Sequence, residues 1–234
     1  MKRTILLLVS LLIVRNMSGQ IVKSIGIKEG LSFANQIWYA KSINLTQKTH
    51  YRIGLYSGVT LDFFNSKYFN LTTDLSYCQK GCRMEKQSSG NYSSVTSPHH
   101  LYSTNSMFYW NFKFHYLSFS PLLKIKYTTN HLIPYALLGL RFDYQLLFQT
   151  DAVSMSGPIG NNYNSTIFGM NCGGGIEFKF NYVAITVEYQ YQYDFTKVID
   201  SPPSTNNTGQ KITNRASIVT LGLKYYLHKK ESTK

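Results

Sequence analysis

One alternating pattern decides the fold, and it is clearest in residues 183–195, which read VAITVEYQYQYDF. Apolar or aromatic side chains occupy every second position, and small or polar side chains lie between them. A helix would scatter these side chains around its circumference, whereas a β-strand sorts them onto two opposite faces. The segment is therefore predicted to be a strand with one apolar face and one polar face.

The same pattern recurs in seven further segments of the chain. Their apolar positions run through residues 25–33, 53–63, 69–77, 117–127, 136–146, 168–178 and 219–227. Glu29 is the exception on the apolar face of the first of them. Phe112 and Phe114 precede the fourth face in the opposite phase, and the change of phase predicts a β-bulge at Tyr116.

The connections between these segments alternate in length. Short links are predicted at residues 65–67, at 128–131 and around Asn181, and long polar ones at 35–50, 81–111, 150–165 and 197–214. Outer-membrane barrels have short periplasmic turns and longer extracellular loops. The predicted fold is therefore all-β: an eight-stranded antiparallel up-and-down transmembrane β-barrel, with the long loops extracellular and both termini periplasmic.

The two faces of the strands suit opposite environments. The polar face carries six basic and six acidic residues, namely Lys28, Asp62, Asp74, Lys124, Lys126, Arg141, Asp143, Glu177, Lys179, Glu188, Asp194 and Lys224. Buried charges must be paired, so this face is predicted to fill a narrow lumen with an ion-pair network, which disfavours an open pore. The rival fold, a soluble lipocalin-like barrel, would need an apolar interior, and the early Gly-x-Trp of lipocalins is missing.

Aromatic residues flank the predicted short turns, as expected of the aromatic belts of a transmembrane barrel. The belt nearest the short turns is predicted to contain Phe63, Phe64, Tyr68, Phe69, Tyr127, Tyr135, Phe180 and Tyr182, and the opposite belt Tyr191, Tyr193 and Phe195.

The chain begins with a basic and apolar leader. Residues 1–19 are predicted to be a signal peptide, with Lys2 and Arg3 ahead of an apolar stretch and Ser18-Gly19 offering a cleavage site, so that residues 20–234 form the barrel domain. The apolar stretch is too short for the alternative, a membrane anchor. The formal net charge is +13, of which +10 remains after the leader's three bases are removed. No dense basic cluster supports a nucleic-acid partner.

Chemically reactive residues form no predicted site. We expect no catalytic, cofactor-binding or metal-binding residues and no cofactor. His99-His100 lacks further metal ligands nearby. His115, Ser118 and Glu188 have the residue types of the His/Ser/Glu catalytic set of a lipid-hydrolysing barrel, but three residues from different segments are easily found by chance. Cys78 is predicted to face the lumen and Cys172 the lipid, which excludes a bridge between them.

The order of several short pieces resembles the PorT-like, eight-stranded outer-membrane β-barrel family of Gram-negative bacteria. The pieces are residues 25–28, 30–33, 56–59, 75–77, 79–81, 121–124, 134–135 and 173–178. Thr220, Gly222, Tyr225 and Leu227 resemble the C-terminal signal of such barrels. The resemblance implies an outer-membrane location and recognition by the barrel assembly machinery.

The expected function is non-enzymatic: an integral outer-membrane protein with a structural or loop-mediated binding role, in contact with outer-membrane lipid and lipopolysaccharide. The long loop at 81–111 is the expected contact surface. One alternative is a PorT-like accessory component of a protein secretion system, acting with envelope protein partners. The other is a membrane-embedded enzyme that modifies lipid A.

Overall fold

The computed structural model describes residues 22–64, 66–87, 107–129, 131–151, 164–203 and 209–227. The predicted signal peptide therefore lies outside the described residues. The described residues form ten strands: β1 (Val22–Ala40), β2 (Leu45–Lys48), β3 (Arg52–Phe63), β4 (Phe69–Gln87), β5 (Met107–Lys126), β6 (Leu132–Thr150), β7 (Thr166–Phe180), β8 (Val183–Asp194), β9 (Ile199–Asp200) and β10 (Gln210–Tyr226). In the described part of the chain no helix is long and apolar enough to span a membrane.

Eight of the strands close into a ring. The order around the ring is β1, β3, β4, β5, β6, β7, β8 and β10, and β10 pairs with β1 to complete it. Every pairing in the ring is antiparallel, and the closing pair runs from Ser24↔Tyr226 to Ala40↔Gln210. The short strands β2 and β9 only extend the outer parts of β1 and β10. The predicted eight-stranded up-and-down topology is confirmed.

Both ends of the described chain lie at the end of the barrel that carries the tight turns. These turns join β3 to β4, β5 to β6 and, at residues 181–182, β7 to β8, and they lie at the predicted short links. Phe64 and Asn181 adopt left-handed backbone conformations there, with φ of 64° and 49°. A left-handed residue lets the chain reverse between neighbouring strands within a few residues.

The opposite end differs from the prediction, because much of the predicted loop sequence is strand. β1 and β2 form a hairpin over most of 35–50, and β4 and β5 stay paired as far as Gln87↔Met107. The loop predicted at 81–111 is thus strand at both of its ends, and residues 88–106 lie outside the described residues. β9 and β10 likewise occupy parts of 197–214. The apolar alternation stops where the strands leave the membrane, but their backbone pairing continues.

The two faces of the ring have the predicted composition. The apolar residues of the eight segments point outward and are exposed, with Ile27 and Leu138 each 56% exposed and Leu221 63% exposed. The inward face is almost fully buried and is mostly polar or small, with buried apolar residues such as Leu122, Leu137 and Ile218 among them. One belt assignment is wrong: Tyr135 is only 7% exposed because it points into the lumen.

A bulge does interrupt the β5–β6 pairing at the predicted place, between His115 and Tyr116, but its extra residue is not on β5 as predicted. β5 alternates without interruption, and Phe112, Phe114 and Tyr116 all point inward. The irregularity lies in the partner strand β6, because His115 pairs with Leu147 and Tyr116 with Gln145, which leaves Leu146 as the extra residue. The apolar side chains therefore move from the outer face to the inner face along β5 while its backbone stays regular.

Candidate functional site

The lumen contains a nearly neutral set of buried charges. Six acidic residues face six basic ones: Asp62, Asp74, Asp143, Glu177, Glu188 and Asp194 with Lys28, Lys80, Lys124, Lys126, Arg141 and Lys224. Lys80 was not predicted to face the lumen, but it is fully buried there. Lys179 was predicted to belong to the buried set, but it is only half-buried and lies at the short-turn end, 4.4 Å from the centre of the Tyr226 ring. Arg52 is a further buried base, at the outer end of β3.

Two acids and two bases form the group nearest the short turns. Asp62 lies 2.9 Å from Lys224 and 3.8 Å from Lys124. Glu177 lies 2.9 Å from Lys124 and 3.8 Å from Lys224, so each acid contacts both bases. The Tyr226 hydroxyl donates to Glu177 and fills the end of the lumen. The group balances its own charge.

The middle group contains one base between two acids. The Lys28 ammonium donates to Asp74 at 2.9 Å and to Glu188 at 2.8 Å. Tyr135 donates its hydroxyl to Glu188 at 2.7 Å, and the Gln190 amide donates to Glu188 at 2.8 Å and to Asp74 at 3.3 Å. Neutral donors thus stabilise the second carboxylate where a second cation is missing.

The outer group again balances two acids with two bases. Lys80 donates to Asp143 at 2.6 Å, and the Arg141 Nε donates to the same carboxylate at 3.0 Å. The other side of the Arg141 guanidinium donates to Asp194 and to Asn171. All four charged side chains are almost completely buried, so their stability depends on these partners.

An apolar cluster covers the outer end of this network. Its buried members are Trp38, Cys82, Phe112, Phe114, Tyr116, Ile167, Val198, Ile199 and Ile212. Trp38 and Phe112 meet edge to face with ring centres 5.3 Å apart, and Phe114 packs on Phe148 at 4.7 Å. The lumen is therefore blocked twice, by the paired charges and by this apolar plug.

The residues considered for catalysis are not brought together. His115 points outward and its Nδ1 contacts the Tyr77 hydroxyl, whereas Ser118 is fully buried on the inner face. Glu188 is held by Lys28 in the middle group. The barrel wall thus separates the histidine from the other two side chains. His99 and His100 lie outside the described residues, and among those described no cluster of His, Cys, Asp or Glu is arranged to hold a metal ion.

The three cysteines are free thiols. Cys78 and Cys82 are both fully buried, and Cys172 is half-buried on the outward face. The facing predicted for Cys78 and Cys172 is confirmed.

Ion pairs also join the strand extensions beyond the ring's outer end. Lys41 and Lys197 each lie 2.5 Å from a different oxygen of Asp200. Hydrogen bonds from Lys197 and Lys41 hold the pKa of this exposed carboxyl below its ordinary value. These ion pairs connect the β1–β2 turn to the segment between β8 and β10. We call the outer ends of the strands and their connections the rim.

A row of polar side chains crosses the outward face of β1, β3, β4 and β5. Ser57 donates its hydroxyl to Glu29 at 2.6 Å, and Ser57 pairs in register with Tyr77. The Gln79 amide donates to the Tyr77 hydroxyl at 2.9 Å, and His115 contacts the same hydroxyl. We call these five residues the outward polar row. Sequence reasoning noticed Glu29 but missed the row, which appears only when the register aligns the four strands.

Several solved structures are similar to this chain. OprG from Pseudomonas aeruginosa is 12% identical, with 89% of this chain and 97% of that chain covered at a TM-score of 0.50. Neisserial surface protein A is 14% identical, covering 86% and 96% at 0.42, and Ail from Yersinia pestis is 13% identical, covering 87% and 99% at 0.37. At such low identity the likeness to OprG shows the fold alone. A comparison with curated protein sequences gave no match.

The family comparison covers most of the ring. The matching model describes an outer membrane protein beta-barrel domain, and it matches residues 22–200, from the start of β1 through β9. The closed ring, the apolar outward face and the charged lumen agree with such a domain. The chain belongs to the outer membrane protein beta-barrel domain family.

Proposed function

We propose that this protein is a non-enzymatic barrel of the bacterial outer membrane that acts through its rim, in a binding or structural role. The observation that carries the proposal is the doubly blocked lumen: the paired charges fill it and the apolar plug covers it. A barrel that conducts no solute through its interior must act through its outer surfaces.

The proposed orientation places the rim outside the cell and the tight turns in the periplasm. Its support is the sorting of connections, since the tight turns that join neighbouring strands of the ring lie at one end and the strand extensions at the other. This asymmetry is typical of outer-membrane barrels. Both ends of the described chain would then face the periplasm.

The rim also carries the charge expected of a surface that contacts lipopolysaccharide. Arg83 and Lys113 lie on the outward face at the outer ends of β4 and β5, and Arg215 and Lys211 do so on β10. Lipid A phosphates lie at this depth in the outer leaflet, and Arg or Lys side chains bind phosphates through charge-assisted hydrogen bonds.

Two measurements test the rim role. Purified protein in planar bilayers should show no large, stable conductance, because the lumen is filled; a wide, steady ion-conducting state would overturn the proposal. Purified lipopolysaccharide should bind the wild-type barrel more tightly than a variant carrying Arg83→Gln and Lys113→Gln. Lys67→Gln, at the opposite end, is the matched control. Equal binding by all three proteins would remove the lipopolysaccharide part.

A second candidate role is a PorT-like accessory component of a protein secretion system. It is favoured by the resemblance of the strand sequences to that family and by the outward polar row, which is unusual on a surface that contacts only lipid. Recovery of a stable complex with envelope proteins from cross-linked outer membranes would support it. Recovery of the barrel only as a monomer would oppose it.

The lipid A-modifying role has the least support, because His115 and Ser118 lie on opposite faces of the wall. Replacing both residues with alanine should leave the lipid A composition of the cell unchanged. A change in acyl chain number would revive this role.

A further inference from the structure

Glu29 is a carboxylate within the apolar band of the barrel. Its neighbours on the same face of β1 are Ile27 and Leu31, 56% and 43% exposed, and the residue paired with it on β10 is Leu221. Glu29 lies four residues beyond Ile25, which pairs with Tyr225 at the short-turn end. With about 3.3 Å per residue and a tilt of about 40°, Glu29 lies roughly 10 Å inside a band about 25 Å tall.

Within the described part of the barrel, the Glu29 carboxylate has a hydrogen-bond donor but no cation beside it. Ser57 donates a hydrogen bond to it at 2.6 Å. Among the described residues no Lys, Arg or His forms an ion pair with Glu29. Each of the six acidic residues in the lumen, by contrast, forms an ion pair with at least one Lys or Arg. A carboxylate that faces lipid without a cation is unfavourable and marks a functional site.

The outward polar row lies on one wall of the barrel, apart from the outward pair that Tyr189 of β8 and Ser217 of β10 form at 3.1 Å. The row continues from Glu29 and Ser57 through Tyr77 and Gln79 to His115. It lies where β3 and β4 stop pairing, since their register ends at Tyr56↔Cys78 and the next β3 amide, Leu55 N–H, is bonded by the Gln79 side chain at 3.4 Å. On the opposite wall, the outward residues of β6 to β8 at comparable depth are apolar: Leu138, Leu140, Met170, Cys172, Ile176, Ile185 and Val187.

A second copy of this chain does not supply the missing cation. All copies are inserted in one orientation, so rotation about the membrane normal brings together only residues of equal depth. The outward bases of the described residues lie near the two interfaces, with Lys23 and Lys67 at the short-turn end and Arg83, Lys113, Lys211 and Arg215 at the outer end. A lipid headgroup is confined to the same interfaces and does not reach Glu29 either.

We propose that the outward polar row is a docking surface for a membrane-inserted segment of another protein, which places a Lys or Arg side chain against Glu29. The Ser57 hydroxyl orients the carboxylate, and Tyr77, Gln79 and His115 hydrogen-bond the remaining polar groups of the segment. Leu31, Leu55 and Leu221 supply the apolar contacts around the ion pair. This surface is distinct from the rim and does not depend on the role proposed for the rim.

The test uses synthetic transmembrane peptides as probes. The purified barrel is reconstituted in phosphatidylcholine vesicles together with one of two Leu/Ala-rich helical peptides of about 20 residues. The Lys peptide carries one Lys at the depth of Glu29, and the Leu peptide carries Leu at the same position. Association is measured by energy transfer between labelled barrel and peptide. The Lys peptide should bind about tenfold more tightly than the Leu peptide, and Glu29→Gln should abolish this preference. Glu85→Gln, which removes an exposed carboxylate at the rim, should leave it intact.

A stability measurement separates docking from a structural role. Glu29→Leu should raise the urea midpoint of the barrel alone in these vesicles, because the carboxylate serves a partner and not the fold. A lower midpoint for Glu29→Leu would assign the residue to folding and overturn the proposal. Equal binding of both peptides would overturn it, as would energy transfer between barrels that depends on Glu29, since that result would make a second copy the occupant. None of these outcomes bears on conductance or lipopolysaccharide binding.

Discussion

Replacing Arg141 with methionine tests whether the buried network holds the barrel together. Arg141 is fully buried and donates to Asp143, Asp194 and Asn171. After the substitution Asp143 keeps Lys80 at 2.6 Å, but Asp194 loses its ion pair. The variant therefore leaves one carboxylate buried without a cation while the outward face of the barrel stays unchanged.

The expected cost follows from that orphaned charge. Removing one partner of a buried ion pair typically destabilises a protein by about 3–5 kcal/mol. Adding Asp194→Asn to Arg141→Met removes the unpaired charge, so the double variant should be more stable than the sum of the two single effects predicts, by about 2 kcal/mol. Unfolding in urea is measured in phosphatidylcholine vesicles through tryptophan fluorescence, because Trp38 lies in the apolar plug beside the outer group.

Lys126→Met is the matched control for this experiment. Like Arg141, Lys126 is a buried base. Its ammonium donates a hydrogen bond to Asn70 at 2.9 Å, but it forms no ion pair with the described acids. Its replacement should cost about 1.5–3 kcal/mol, the value of a hydrogen bond to a charged group, which is less than the loss of an ion pair. Equal costs for Arg141→Met and Lys126→Met, or strict additivity in the double variant, would refute a network stabilised by specific pairs.

Three further predictions concern the wall, the thiols and the orientation. Leu138→Arg should destabilise the barrel in lipid by about 2–4 kcal/mol, whereas Gln149→Arg, near the outer end of the same strand, should cost less than about 1 kcal/mol; equal urea midpoints for the two would contradict the assigned depth. Cys78 should react with a maleimide only after unfolding, because it is fully buried, so rapid labelling of the folded barrel would show an open lumen. An epitope inserted at Asn44 should bind antibody on intact cells and one placed after Lys234 only on permeabilised cells; the reverse result would invert the proposed topology.

The ring could be predicted from sequence because lipid and lumen select opposite side chains. Within the membrane the outward residue of each pair must be apolar, and in a narrow lumen the inward residue must be small or paired. Segments such as 183–195 therefore have a strict period of two. The predicted short turns were correct for the same reason, since the alternation stops only briefly between β3 and β4 and between β7 and β8.

The same rule fails at the rim because the environment changes along each strand. Above the membrane the outer face meets water and the inner face forms an apolar plug, so apolar residues move inward. Phe112, Phe114 and Tyr116 follow this inversion on a regular strand, and sequence reasoning interpreted it as a bulge. Lys80 was omitted from the lumen for a related reason, because the strand was predicted to end near Gly81, whereas β4 continues to Gln87. Phase alone would have placed Lys80 inward, since it is an even number of residues from Asp74 and Cys78.

The pairing inside the lumen depends on register, which composition does not contain. Six acids and six bases predict neutrality. They do not predict that a single base, Lys28, serves the two carboxylates of the middle group while two bases share Asp143. The neighbours of Lys28 in the network, Asp74 and Glu188, lie on β4 and β8, so they come within reach only when the ring closes through β1 and β10. Glu29 follows the same logic on the outer face. The sequence shows that Glu29 departs from the apolar pattern. It does not show that Ser57 and Tyr77 lie beside Glu29, because that follows from the β1–β3 and β3–β4 registers. A single charged residue that breaks an otherwise strict lipid-facing pattern is therefore the sequence signal that directs attention to a site, and strand register identifies the residues that complete it.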